Sequence, residues 1–222
     1  MRFASSVLRS TPNAQRQAQG AAPCRIVIAA LLIALWACCA RAQSGQPPRA
    51  ALPYRADLIR TARAAWGLNA PVPVFAAQIH TESGWRPDAV SPVGALGLAQ
   101  FMPATARWIA AIDPQLSGGQ PYNPAWAMRA LVTYDKHLYG LAPARYTARE
   151  RMWVALRGYN GGLGNWQAEA RATGLPAPTR GQVDAACGKA GRAAAHCAEN
   201  LAYPRRVLIE AQPRYALWGP VL

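Results

Sequence analysis

Apolar residues recur at three- and four-residue intervals along most of the 222-residue chain, and strand-like alternation is nearly absent. That periodicity belongs to helices that bury one face. Leu58, Ile59, Ala62, Ala65 and Trp66 form the first such stripe, running from Asp57 to a stop at Gly67. Pro71 and Pro73 suit a first helical turn, and Val74, Phe75, Gln78 and Ile79 carry the pattern to about Ser83, where Gly84 ends it. Asn123-Pro124 pairs an N-cap with a proline at the first helical position and opens a helix through Trp126, Met128, Leu131, Val132 and Tyr134 toward Leu138. Thr147 with Glu150 three residues on is a capping box for Ala148 to Tyr159, which Gly161-Gly162 terminates. Leu163 to Thr173 and Pro204 to Gln212 read as further short helices, and there is no internal repeat. The expected class is all-α, one domain with long loops.

The start of the chain follows a different pattern. Residues 26–40 read IVIAALLIALWACCA, four arginines and no acid precede them, and Ala40-Arg41-Ala42 follows as a cleavage-type triplet. Residues 1–42 are therefore expected to be a secretory signal peptide, 43–54 a proline-containing linker and 55–222 the domain. The apolar run is short for a membrane span of ~20 residues. An uncleaved anchor, or lipoprotein-type processing at Leu35-Trp36-Ala37-Cys38, stays open.

Charge and cysteines sharpen this picture. The formal net charge is +14; five of the 24 basic residues are arginines within residues 1–42, leaving 19 against 10 acids, a balance of +9. A basic exported protein is drawn to wall polymer or anionic membrane surface, unless the charge serves solubility alone, and export excludes nucleic acid as its partner. Cys24, Cys38 and Cys39 leave with the signal, so Cys187 and Cys197 are expected to pair as a disulfide in an oxidising compartment. Only His196 lies close to them, too few ligands for a metal, and neither metal nor organic cofactor is expected.

The candidate chemistry centres on Glu82. It falls in the last turn of an apolar helix, beside Phe75, Ile79 and Trp85, near the negative end of the backbone dipole. Both surroundings oppose ionisation, and a carboxyl kept protonated near neutrality is what a general acid needs to protonate a glycosidic oxygen. Four segments add weight: Glu82-Ser83-Gly84, the run from Ser91 to Pro103 (SPVGALGLAQFMP), Gly158 to Gly162 (GYNGG), and Glu199 to Tyr203 (ENLAY) followed by Val207-Leu208. In order and spacing, over about residues 55–215, they resemble the soluble SLT-type lytic transglycosylases, peptidoglycan-cleaving enzymes related in fold to goose-type lysozyme.

The resemblance implies a lysozyme-like α-helical domain around a glycan-binding groove, acting on peptidoglycan glycan strands. It implies Glu82 as the catalytic residue, acid first and then base, leaving a 1,6-anhydromuramoyl end. Tyr159 and Asn160 would orient Glu82 or the glycan, Gln100 and Ser91 would bond substrate, Ser83 and Gly97 would shape the turn, and Tyr203 joins this substrate-binding set. Trp85 and Tyr159 are expected to stack on sugar rings. Two departures stand out: Ala99 where the family has Met, which removes a flexible side chain beside the cleft, and Gly158 where it has Ala. Residues 167–198, with both cysteines, have no counterpart and are expected to tailor one end of the groove. Between Glu82 and Gln100 the sole further acid is Asp88, in a turn-like Arg86-Pro87-Asp88, so a one-acid mechanism is preferred over two-carboxylate hydrolysis. The rivals are a muramidase on the same scaffold and a non-catalytic wall-binding adaptor. The expected setting is the periplasm, in service either to a secretion or conjugation apparatus or to general wall turnover.

Overall fold

The computed structural model describes residues 45–222. The expected signal peptide, with Cys24, Cys38 and Cys39, lies outside the described residues. Eight α-helices are found among those described: α1 Arg55–Trp66, α2 Val72–Ser83, α3 Pro103–Ile112, α4 Pro124–Leu141, α5 Ala148–Gly161, α6 Leu163–Ala172, α7 Arg180–Ala185 and α8 Cys197–Arg205. A π-helical turn, Arg206–Ala211, and a 3-10 helix, Gln212–Trp218, close the chain. No strand occurs among the described residues; Val90, Leu96 and Phe101 make isolated bridges within one loop. The all-α class expected from the apolar spacing is the class observed.

Helix α2 forms the centre because its apolar residues surround it on every side. Every residue from Val72 to Ile79 is buried, which is how a helix without a polar face must sit. Helices α1, the π-helical turn and the C-terminal 3-10 helix pack on it, and α4 packs on α1 and α5. Burying Phe75 and Ile79 fully contributes about 1.5–3 kcal/mol each. Trp66 fastens α1 to α4 by donating Nε1–H to the Val132 carbonyl at 3.0 Å.

Local signals in the sequence hold where they are local. Asn123 caps α4, its side chain accepting from the Ala125 and Trp126 amides. The Thr147–Glu150 box closes in both directions at the start of α5. Two expectations need correction, and two helices fall where no element was expected. Residues 43–54 are not all linker: Arg49–Tyr54 is a 3-10 helix, with Ala51 buried and Tyr54 stacked on Trp85 at 5.8 Å, because these side chains have apolar partners to meet. Helix α3 begins where the loop motif ends, at Pro103. Helix α7 lies in the stretch expected to tailor the end of the groove, for which no element had been read. Finally, α8 starts at Cys197, not Pro204; Pro204 sits near its end, where the chain changes to the π-helical turn.

Helices α6 and α7 fold over a second, small core of Ala142, Tyr146, Val154, Trp166 and Val183. Beneath them lies a buried ionic network. Arg157 donates to Asn200 Oδ1 (2.9 Å), Asp184 Oδ1 (2.9 Å) and Glu169 Oε2 (2.6 Å), and Arg192 donates to Glu169 Oε1 at 2.8 Å. This ties α5, α6, α7 and α8 together at charged groups that would be costly if left unpaired. Cys187 and Cys197 are joined as a disulfide, their Cα atoms 5.9 Å apart.

Candidate active site

Gly84 ends α2 in the left-handed conformation (φ 61°), its amide bonding the His80 carbonyl at 3.0 Å. Trp85 follows at φ 69°, unusual for a bulky residue. Its side chain is held from several directions: Nε1–H donates to the Tyr215 hydroxyl (2.8 Å), and the ring meets Tyr54, Tyr215 and Trp218. His80 Nδ1 also meets that hydroxyl, at 2.9 Å. The end of the helix is therefore fixed, and Glu82 with it.

Glu82 looks from this fixed turn into a groove of about 410 Å³, with Ser91, Gln100, Tyr134, Tyr159, Asn160 and Glu199 on its walls. The Tyr203 hydroxyl donates to Glu82 Oε1. Burial raises the Glu82 pKa to about 7, against the Tyr203 hydrogen bond and the Arg206 charge, with a smaller push from Glu199. Near neutrality the group is thus present both as acid and as base.

The loop on the far wall is built from backbone bonds. The Ser91 amide bonds the Ala95 carbonyl and Ser91 Oγ accepts from the Ala95 amide, both at 2.9 Å. Gln100 Nε2 donates to the carbonyls of Ala89 (3.2 Å) and Gly97 (2.9 Å). Gly97 (φ 72°) has no room for a side chain: an added Cβ would lie 1.9 Å from the Pro121 carbonyl oxygen. Tyr159 anchors the loop to α5 through its hydroxyl, which donates to the Ala99 carbonyl at 2.6 Å. Ala99 is itself buried, so it serves this contact through its backbone. Asn160 Oδ1 accepts from Asn200 Nδ2 at 3.0 Å, which brings the buried ionic network up to the groove.

Of the residues expected at the site, Glu82, Ser91, Gln100, Tyr159 and Asn160 line one groove. Three do not. Ser83 is buried and bonds within its own turn, accepting from the Arg86 amide at 3.2 Å. Gly97 shapes the loop from behind. Tyr203 is buried and meets Glu82 instead of solvent. Trp85, expected to stack on sugar, is only 2% exposed and belongs to the core. Tyr134 and Glu199 line the groove without having been expected to. Tyr134 sat inside the apolar pattern of α4, and Glu199 was visible only as the first residue of its motif. Arg206 takes both oxygens of Glu199, from Nη1 at 3.1 Å and from Nη2. Asp88 is exposed and is not among the groove residues.

Past Asn160 and Glu199 the groove runs into a second hollow of about 390 Å³ bounded by Gly161, Asn165, Arg192 and His196, so the disulfide-closed segment forms its end wall. A larger hollow of about 610 Å³ beside Pro103 and Tyr122 has no carboxylate on its walls.

Comparison with known proteins bears on the same residues. The family model for the transglycosylase SLT domain matches residues 59–177. The membrane-bound lytic murein transglycosylase F of Maricaulis maris is 35% identical over 92 residues, 41% of this chain and 19% of that protein. That of Alcanivorax borkumensis is 32% identical over 114 residues, 51% of this chain and 22% of that protein. The chain thus spans about a fifth of the length of these relatives. The crystal structure of the 70 kDa soluble lytic transglycosylase SLT70 from Escherichia coli superposes with a TM-score of 0.49 at 24% identity, covering 73% of this chain and 24% of that one. The matched interval takes in Glu82, the groove loop and all of α5, more than half of the 222 residues, and on that match the chain belongs to the transglycosylase SLT domain family.

Proposed function

We propose that this chain is a peptidoglycan lytic transglycosylase that cleaves the β-1,4 bond between N-acetylmuramic acid and N-acetylglucosamine. One observation carries the reading: a carboxyl with a pKa of about 7, fixed in a polar groove, whose nearest acidic companion on the wall is already engaged by an arginine. Protonated Glu82 gives its proton to the glycosidic oxygen as the C1–O bond breaks, and the sugar's own acetamido group shares the positive charge at C1. The Glu82 carboxylate then takes the proton of the muramic C6 hydroxyl as O6 bonds to C1. Glu82 is left protonated for the next cycle, no water is consumed, and the product carries a 1,6-anhydro end.

Two-carboxylate hydrolysis needs a second acid free to activate water or to attack the sugar. Glu199 has both oxygens on Arg206, which favours the one-acid route. Tyr203 orients the Glu82 carboxyl, while Ser91, Gln100, Tyr159 and Asn160 contact the glycan. The relatives are named membrane-bound murein enzymes, in keeping with action in the cell envelope, reached through an N-terminal export signal. Local wall opening for a secretion or conjugation apparatus is the narrower role we assign, and co-purification from envelopes tests it.

Mass spectrometry of digested sacculi tests the chemistry. Ends one water lighter than reducing muramic acid are expected; reducing ends would make the protein a muramidase. Glu82→Gln should abolish release, and a Glu82→Gln protein as active as the parent would overturn the role of Glu82; a parent that binds sacculi and releases nothing would be a wall-binding adaptor.

A further inference from the structure

Behind the groove, Gln78 of α2 meets Asp135 of α4 in the interior. Both side chains are fully buried, and Gln78 Nε2 donates to Asp135 Oδ1 at 3.5 Å. The remaining oxygens of the pair, Gln78 Oε1 and Asp135 Oδ2, have no partner among the described residues. Two buried acceptors without a donor are steeply penalised away from water. A single proton removes both defects. Placed on Asp135 Oδ2, it is donated to Gln78 Oε1 and closes a two-bond ring between carboxylic acid and amide.

We propose that Asp135 is held as the neutral acid in this ring with Gln78, and that it thereby acts as a positioning residue for Glu82. Gln78 precedes Glu82 by four residues, one helical turn, so the ring ties α2 to α4 at the turn beneath the site. Among the described residues the ionisable groups facing Asp135 are Glu82 from α2, Tyr134 from α4, Tyr159 from α5 and Tyr203 from α8, none of them a cation. Burial drives the Asp135 carboxyl well above the usual carboxylate range, against the pull of the Gln78 bond and with a further push from Glu82. When Glu82 releases its proton, the wall behind it adds no second negative charge.

The consequence for Glu82 rests on the function proposed above, but the protonation of Asp135 can be read without substrate. Infrared spectra of the Glu82→Gln protein, with aspartate carboxyls isotopically labelled, should show a protonated-acid carbonyl stretch at pH 8 that moves with the label. That stretch should vanish in the Glu82→Gln, Asp135→Asn protein. Absence of the stretch at pH 8 overturns the proposal.

A second measurement uses Asp135→Asn alone, which can reproduce both bonds of the ring. The alkaline limb of its kcat/KM profile should coincide with that of the parent, because a neutral group replaces a neutral group. If Asp135 were ionised, the substitution would remove a repelling charge and shift the limb to lower pH, on the order of one unit, which overturns the proposal. Should Glu82→Gln retain full activity, the catalytic role of Glu82 fails while the infrared result still decides the state of Asp135.

Discussion

Replacing Tyr203 by Phe removes the hydroxyl that donates to Glu82 and leaves the ring in place. That hydrogen bond holds the Glu82 pKa down, against the upward effect of burial, so its loss moves the pKa up from about 7. The size follows from the difference between two states. A bond to a charged group contributes ~1.5–3 kcal/mol and one to a neutral group ~0.5–1.5, so the carboxylate loses roughly 1–1.5 kcal/mol more than the acid does. At 1.36 kcal/mol per pH unit this is about one unit. The alkaline limb of kcat/KM, which reports the free enzyme's essential acid, should therefore move from about 7 to about 8. At pH 8, activity relative to each protein's own plateau should rise from about a tenth to about a half. The assay is release of soluble muropeptides from purified sacculi between pH 5 and 9.5 at constant ionic strength, since Arg206 and Glu199 also act on Glu82 by charge. A lower plateau would reflect lost orientation and leaves the position of the limb interpretable. A limb that stays in place or moves down would refute the assignment of Tyr203 as the group restraining the Glu82 proton.

Gly97→Ala should destabilise by ~3 kcal/mol or more, measured by urea unfolding, because the new Cβ meets the Pro121 carbonyl and the φ of 72° disfavours any side chain. Reducing the Cys187–Cys197 bond, which spans a sequence separation of 10, should cost about 2–3 kcal/mol in the same assay, and equal unfolding midpoints with and without reductant would contradict this. Glu169→Gln leaves Arg157 and Arg192 short of a buried counter-charge and should cost about 3–5 kcal/mol; an unchanged melting temperature would show that the network tolerates the loss.

The sequence was legible where the physics is local. Asn123-Pro124 and Thr147–Glu150 cap their helices through atoms two or three residues away, and Cys187 and Cys197 lie ten apart. The Glu82 environment was also readable, since Phe75, Ile79 and Gly84 share its helix or its end. Misreadings arose where distant residues decide. Trp85 looked free to meet a sugar until Tyr215 and Trp218, some 130 residues on, enclosed it. Tyr203 is 121 residues from Glu82, and spacing along one chain does not reveal that their oxygens meet. Pro204 is favoured at the start of a helix, yet tertiary packing placed it near the end of one.

The two amides of the groove, Asn160 and Gln100, have opposite commitments. Asn160 has its oxygen oriented by Asn200 and both N–H groups left to offer, while Gln100 has spent its N–H groups on Ala89 and Gly97 and can offer only oxygen. Neither can rotate its amide to suit a guest without breaking those bonds. The groove therefore meets any guest with a fixed acceptor on one wall and a fixed amide donor on the other.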